Sequence, residues 1–371
     1  MALFDAAPEP VTDLSLMFGG GRPMDASPDR SDHRVAFGTV VRAAPIERGG
    51  ELVVMDWSDK TVEARAPMRP RNPTIGEDPD PRGNARGCRG VRWHDGQILA
   101  ATYHTLEVYD ASLQRVGAID GRLMAGLHEI GLTDRHSVWV SSTAIDAAVE
   151  YDLSTHEQVR ALWPREMPTL QAALDLEPLP IHKGADNRLR FLDSSATQTP
   201  SHLHLNAVEE HDGHVYALCN GHAAVVNLTE DRVALRHEGL QGAHNLKIVG
   251  NTALVNDTFG RAVQFFDLET GERTRSINLT QYQWVRALIR WQIPSYWGRE
   301  LATRMGFMED VVARPLFVRG LALEGDFLFV GVSPAAILQI DRRSGALVDA
   351  YQFSDDVHVC VHGLDVQARS A

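Results

Sequence analysis

The sequence predicts an all-β fold, a six-bladed β-propeller closed by its own N- and C-terminal strands, on three observations. First, one unit recurs five times: a polar anchor, an apolar strand, a second strand, then an apolar run ending in Asp or Asn. It runs from Arg89 to Asp110, His128 to Asp152, Asn206 to Asn227, His244 to Asp267 and Arg319 to Asp341, distances of 21, 24, 21, 23 and 22 residues. A repeat of about 40 residues built only from short strands is the pattern of a propeller. Second, the strands that begin the chain (from Val35, from Glu51 and from Val62) make three quarters of a blade that lacks its inner strand. Third, Val361-His362-Gly363-Leu364-Asp365-Val366 matches the opening of the other units and has nothing after it. Joining the two ends gives the sixth blade and removes the sheet edges that a linear array leaves open.

Taken in order, residues 1–33, rich in Pro, Asp, Gly and Ala, read as a flexible N-terminal arm, and residues 34–371 as a single propeller domain. Successive anchors lie 39, 78, 38, 75 and 43 residues apart, so two gaps hold insertions. Residues 157–200 are a Pro- and Asp-rich loop with a short helical piece near Thr169–Leu174. Residues 279–315 carry a longer helix from Trp284 to Met305, with apolar residues near helical spacing. Neither insertion alternates with period 2, which argues against two further blades. Residues 70–87 form a third long loop. All three precede inner strands, so helical and loop insertions are expected to form a lid on one face.

A formal charge of −13 argues against a nucleic-acid surface, which needs clustered Lys and Arg. No stretch approaches the roughly 20 apolar residues of a membrane helix, and the first 32 residues show no secretory pattern. Cys88, Cys219 and Cys360 are odd in number and lack metal-ligand spacing. Together these features point to a cytoplasmic protein.

Aligned by the following strand, the six anchors are His362, Arg89, His128, Asn206, His244 and Arg319, so every second blade offers a histidine. Three imidazoles converging on the axis suit one divalent ion with an open position, zinc first, with iron or copper accepting the same nitrogens. His128, His244 and His362 are therefore the candidate metal ligands. Between them, Arg89 and Arg319 with Asn206 and His204 are candidate substrate-binding groups for a small anion. The loops after the second strands open on the same face. They supply Tyr103 or His104 as a candidate general base, and Asp257 as an acceptor for a ligand histidine. The same loops carry Thr143, Asp146, Asn220, His222, Thr258 and Ser333. The bland alternative is a ring of polar residues that fills a tunnel with water.

With its repeat and its axial ring, the chain resembles the six-bladed propellers of the NHL and gluconolactonase-like group. The three-histidine arrangement is similar to that of the peptidyl-hydroxyglycine amidating lyases. That resemblance implies zinc on His128, His244 and His362, a substrate arginine at Arg89 or Arg319, and a tyrosine at Tyr103. The chain has no regular NHL signature, and gluconolactonase-like members bind metal through oxygens, so no substrate is carried over. The sequence thus suggests a metal-dependent lyase or hydrolase acting on a small anionic molecule. The alternatives are an iron oxygenase using the same histidines and a non-catalytic scaffold that meets a protein partner on its lid face.

Overall fold

The computed structural model describes residues 32–41, 50–68, 71–72, 76–77, 86–192, 199–240, 242–290, 292–307, 316–356 and 358–369. Residues 1–31 of the N-terminal arm and most of the 70–87 loop lie outside the described residues, and His33, read as the end of the arm, opens a strand. The rest builds six antiparallel blades: five are four-stranded sheets in sequence order from the axis outwards, and in the closing blade the C-terminal strand lies inside the first three, with Arg86–Gly87 pairing Val40–Val41 as a fifth, short strand. Blade 1 joins Val359–Ala368, at the axis, to His33–Val41, Gly50–Asp56 and Val62–Met68. Blades 2 to 6 open with Val91–His94, Leu127–Leu132, Leu205–His211, His244–Val249 and Leu321–Glu324. Each inner strand touches the next, and that of blade 6 touches that of blade 1, so the ring is closed.

The repeat has a local cause at every blade. Asp56, Asp110, Asp152, Asn227, Asp267 and Asp341 each accept a backbone N–H two or three residues on, at 2.6–3.0 Å, and turn the third strand into the fourth. Strand faces then alternate, and each of the six blade interfaces holds its own apolar cluster. Stability is therefore spread round the ring. Trp57 of blade 1, fully buried, donates to Gln339 Oε1 of blade 6 at 2.7 Å and ties the closing interface.

Helix α1 (Pro168–Leu174) lies in the first insertion, and α2 (Gln283–Ile289) and α3 (Gln292–Arg304) in the second. The single helix expected over Trp284–Met305 is broken at Arg290. Pro294 has no N–H and fits a helix only in its first turn, so a new helix starts just before it. The insertions also divide their work. Residues Arg188–Leu192 lie against the blade 3 loop Thr143–Ile145, on the face where inner strands begin. Helices α1 and α2 instead wedge between blades. The Thr169 and Leu170 N–H groups of α1 donate to Asp231, in the last turn of blade 4, while Leu170 and Leu174 join the blade 3–4 core. Tyr282 donates to the Gly345 carbonyl at 2.6 Å in the matching turn of blade 6, and Val285, Leu288 and Ile289 join the blade 5–6 core. None of the described helices is long and apolar enough to cross a membrane.

Candidate metal centre

The anchors reach the axis because of β-bulges. In blade 1, Val361 pairs Thr39 and Gly363 pairs Gly38, so His362 is the extra residue. In blade 3, Leu127 pairs Ser142 and Ile130 pairs Val140, which leaves His128 and Glu129 facing Ser141 alone. In blade 5, His244 pairs Asn256 and Leu246 pairs Val255, and Asn245 is extra, with φ of 56°. A bulge bends its strand and re-aims the side chain beside it, here at the rim of the tunnel. Close approach of the blades completes the placement. A Cβ on Gly363 would lie 2.0 Å from the Arg89 carbonyl oxygen, so only glycine lets those two inner strands meet.

His128, His244 and His362 are brought together. One ring nitrogen of each lies within 4.8 Å of the others, and all three rings are buried. Their ring centroids are 5.4–5.9 Å apart. Four nitrogens around a tetrahedral ion at about 2.05 Å would sit roughly 3.3 Å apart, so modest side-chain rotation closes the trio onto an ion. The hydrogen bonding suits ligation. His244 Nδ1 faces the Gly242 carbonyl and Thr258 Oγ1, both at 2.9 Å, which leaves Nε2 as its lone pair. His128 Nδ1 and both nitrogens of His362 have no hydrogen-bond partner among the described residues. Burial drives all three imidazoles well below their ordinary pKa. The Arg89 guanidinium adds to this at His128, Arg319 at His244, and both arginines at His362. Neutral, buried imidazoles with a ring nitrogen left open are what a divalent ion needs.

The two arginines lie in the same ring. Arg89 stacks on Tyr103 with 4.1 Å from its guanidinium carbon to the ring centroid, and donates to the Leu127 carbonyl at 3.0 Å. Arg319 stacks on Phe317 at 4.0 Å. Both are half-buried. Asn206 is fully buried, donates to the Ala243 carbonyl at 2.7 Å, and keeps Oδ1 without a partner among the described residues. His204, half-buried, places its ring 5.6 Å from that of His128, so both it and Asn206 border the trio. The buried Asp146 carboxylate fixes this segment by accepting the Leu203 and His204 N–H groups at 3.0 Å.

One sequence-derived placement differs. Asp257 does not reach a ligand histidine: its carboxylate accepts Gly260 N–H at 2.6 Å and Gln264 Nε2 at 2.9 Å, within its own blade. The acceptors at His244 are the Gly242 carbonyl and Oγ1 of Thr258, the residue next to Asp257 in the same turn. His104, the other candidate base, is fully buried and bonds Thr105 Oγ1 through Nδ1 at 3.1 Å. The other loop residues act as staples, three on the next blade and Ser333 on the approach to its own. Thr143 donates to the Leu205 carbonyl, Asn220 accepts Gly242 N–H, Thr258 donates to the Val318 carbonyl, and Ser333 accepts Phe317 N–H, at 2.6–2.9 Å. They hold the anchors in position from behind.

Below the histidines the tunnel carries groups that were not foreseen. Glu129 lies 4.0 Å from His362 Nδ1 and accepts from Asn245 Nδ2 at 2.7 Å. Burial pushes its carboxyl up to about 8, against the pull of Arg92 and Lys247. Asn245 Oδ1 in turn accepts Asn256 Nδ2 at 2.9 Å and Gly320 N–H at 2.8 Å. One layer further down, Lys247 bonds both oxygens of Glu209 at 3.2 Å. Trp93 N–H donates to Asp365 at 2.8 Å, and Arg92 feels Asp365, Glu209 and Glu129. The available signal was positional: Arg92, Glu209, Lys247 and Asp365 each stand three residues after an anchor.

Comparison with known proteins shows the fold. No family model matches the sequence, and no curated protein does. A protein of unknown function from Bacteroides caccae is similar in structure, with a TM-score of 0.53 at 10% identity over 90% of this chain and all of that one. A chain of a nidogen/laminin complex matches with a TM-score of 0.51 at 8% identity, over 91% of this chain and 99% of that one. At such identities the likeness is one of fold.

Proposed function

We propose that this protein is a metal-dependent enzyme that binds a divalent ion, zinc first, on His128, His244 and His362 and acts on a small anionic substrate by lyase or hydrolase chemistry. The observation that carries this reading is the meeting of three buried imidazoles from alternate blades, with ring nitrogens within 4.8 Å, in the same ring as two arginines. A bound ion there would supply a Lewis acid and a more acidic water. Arg89 and Arg319, on the blades either side of His362, hold the anionic group, each braced on an aromatic face. Tyr103, beneath Arg89, is the candidate to hold or move a proton, with His204 and Asn206 on blade 4, beyond His128. Asn245 and Glu129 support the trio from below.

Metal content measured on untagged protein tests this, beside a His128→Ala/His244→Ala double variant. The expected result is a difference of one equivalent of zinc, iron or copper between the wild type and the double variant, which keeps its strand signal by circular dichroism. Retention of all metal by that variant, or none in the wild type after reconstitution, overturns the proposal. The rival reading is a propeller that binds without catalysing. Its support is the exposure of Trp297, Leu301, Met305 and Phe307 on and just after α3 (53–75%). It expects no stoichiometric axial metal.

A further inference from the structure

The far ends of the inner strands carry a second cluster. Blade 2 turns at His94-Asp95-Gly96-Gln97, where His94 pairs Gln97 and both central residues have positive φ, 47° and 75°. That is a type I′ hairpin, and Asp-Gly is a favoured pair for it. Blade 3 turns over Asp134-Arg135-His136 inside the Thr133–Ser137 bond, with His136 at φ of 57°. A three-residue hairpin of this kind favours Gly in its left-handed position, and a histidine there is not what the turn asks for. The two turns lie side by side. His94 Nε2 is 3.0 Å from His136 Nδ1, His94 Nε2 is 3.4 Å from Asp95 Oδ2, and His136 Nδ1 is 3.7 Å from the same oxygen.

The geometry points to a second metal site, a surface site for a divalent transition ion held by His94, Asp95 and His136. Three ligand atoms at 3.0, 3.4 and 3.7 Å bracket the spacing of about 3.3 Å that a tetrahedral ion imposes, so this site needs less rearrangement than the axial one. Two imidazoles and one carboxylate are borderline ligands suited to zinc and its neighbours rather than to calcium or magnesium. The side chains of His136 and Asp95 are 47% and 74% exposed, which leaves water to complete the shell and an open path for the ion. From Arg89 to His94 is five residues of strand, roughly 16 Å, so the two sites are separate. The ion would join the neighbouring turns of blades 2 and 3, a bridge that hydrogen bonds alone make weakly.

The chain contains its own control. Blade 4 turns at His211-Asp212-Gly213-His214, and His211 Nε2 lies 3.4 Å from Asp212 Oδ2, the same pair at the same distance. The facing turn of blade 5, Gly250-Asn251, brings no imidazole, and no third ligand joins that pair among the described residues.

Zn2+ titration of the full chain by calorimetry, with thermal unfolding alongside, tests the assignment. In the His128→Ala/His244→Ala background one equivalent of Zn2+ is expected to bind. Adding His136→Asn should weaken it by about tenfold or more and abolish the Zn2+-induced rise in Tm. Asn suits the left-handed position, so the turn is kept. His211→Ala should change neither readout. Undiminished Zn2+ binding in the His136→Asn variant, or none in the axial background, overturns the proposal. If the axial variant does not fold, His94→Gln and His136→Asn in the otherwise intact chain should each remove one equivalent, and no loss in either overturns it. Failure of the axial site would leave this equivalent in place, so the two proposals fail separately.

Discussion

Asn245 is the residue whose removal should do most damage per atom. It stands in the left-handed region at φ of 56°, buried, and holds three groups: Glu129 through Nδ2, and Asn256 and the Gly320 N–H through Oδ1. Truncation to alanine leaves the Gly320 N–H and the Glu129 carboxyl without these bonds, while Asn256 Nδ2 keeps the Gly320 carbonyl at 3.0 Å. Two orphaned buried groups at about 1–3 kcal/mol each, plus about 1 kcal/mol for alanine at positive φ, sum to roughly 3–7 kcal/mol. An unfolding entropy of about 2.1 cal/mol/K per residue over 371 residues is about 0.8 kcal/mol/K, so Tm should fall by about 4–9 °C. Asn245→Gly relieves the backbone strain but not the lost bonds, and should unfold about 1 °C above Asn245→Ala. Scanning calorimetry of the two variants decides the matter. A fall below about 1 °C for Asn245→Ala would refute the claim that this side chain organises the tunnel.

Three further outcomes follow from the structure. Gly363→Ala drives a methyl into the Arg89 carbonyl and should cost about 3 kcal/mol or more, read as a lower urea midpoint with an unchanged slope. At Glu150, burial alone would raise the carboxyl, but hydrogen bonds from Ser137, Arg160 and Arg135 outweigh it and hold it below its ordinary value; Arg135 chiefly does the same for Glu210. A depressed carboxyl adds stability above its unfolded pKa of about 4.3 and loses it as pH falls through the folded value. The stability gap between wild type and Glu150→Gln should therefore be full above about pH 5 and shrink progressively as pH falls below about 4.3; a gap that stays constant or widens on acidification would contradict the reasoning. On α3, Trp297→Ser and Leu301→Ser should change stability by less than about 0.5 kcal/mol, because both side chains are more than half exposed.

The architecture was legible in the sequence because each blade repeats one local code. An apolar strand pair followed by Asp or Asn forces a turn at the same place six times, and the unmatched opening at His362 supplies the missing inner strand. The anchors were legible for the same reason, since a fixed register puts equivalent residues on equivalent positions. What register does not encode was missed. Whether Asp257 or Thr258 meets His244 depends on one step of the chain inside a turn, and two adjacent polar residues look alike in sequence. The break in the second insertion was legible at Pro294 but was masked by apolar spacing that continues across it. The wedge positions of α1 and α2 depend on turns of other blades, at Asp231 and Gly345, some 60 residues away.

The bulges explain why the site and the tunnel floor come as a pair. In a regular strand, adjacent residues face opposite sides, so an inward histidine would be followed by a residue in a blade core. An extra residue at the anchor breaks that rule, and His128–Glu129 and His244–Asn245 both reach the axis as neighbours. The first of each pair gives the ring its nitrogen. The second gives the floor a carboxyl and an amide that bond each other at 2.7 Å across the axis. Where the following residue is glycine, as at Gly363, the bulge instead admits the backbone of the next blade, here at the Arg89 carbonyl. Three-fold chemistry on a six-fold frame thus needs no departure from the blade code. A polar residue after the anchor histidine in two blades and glycine after it in a third suffice to draw three histidines together and support them from beneath.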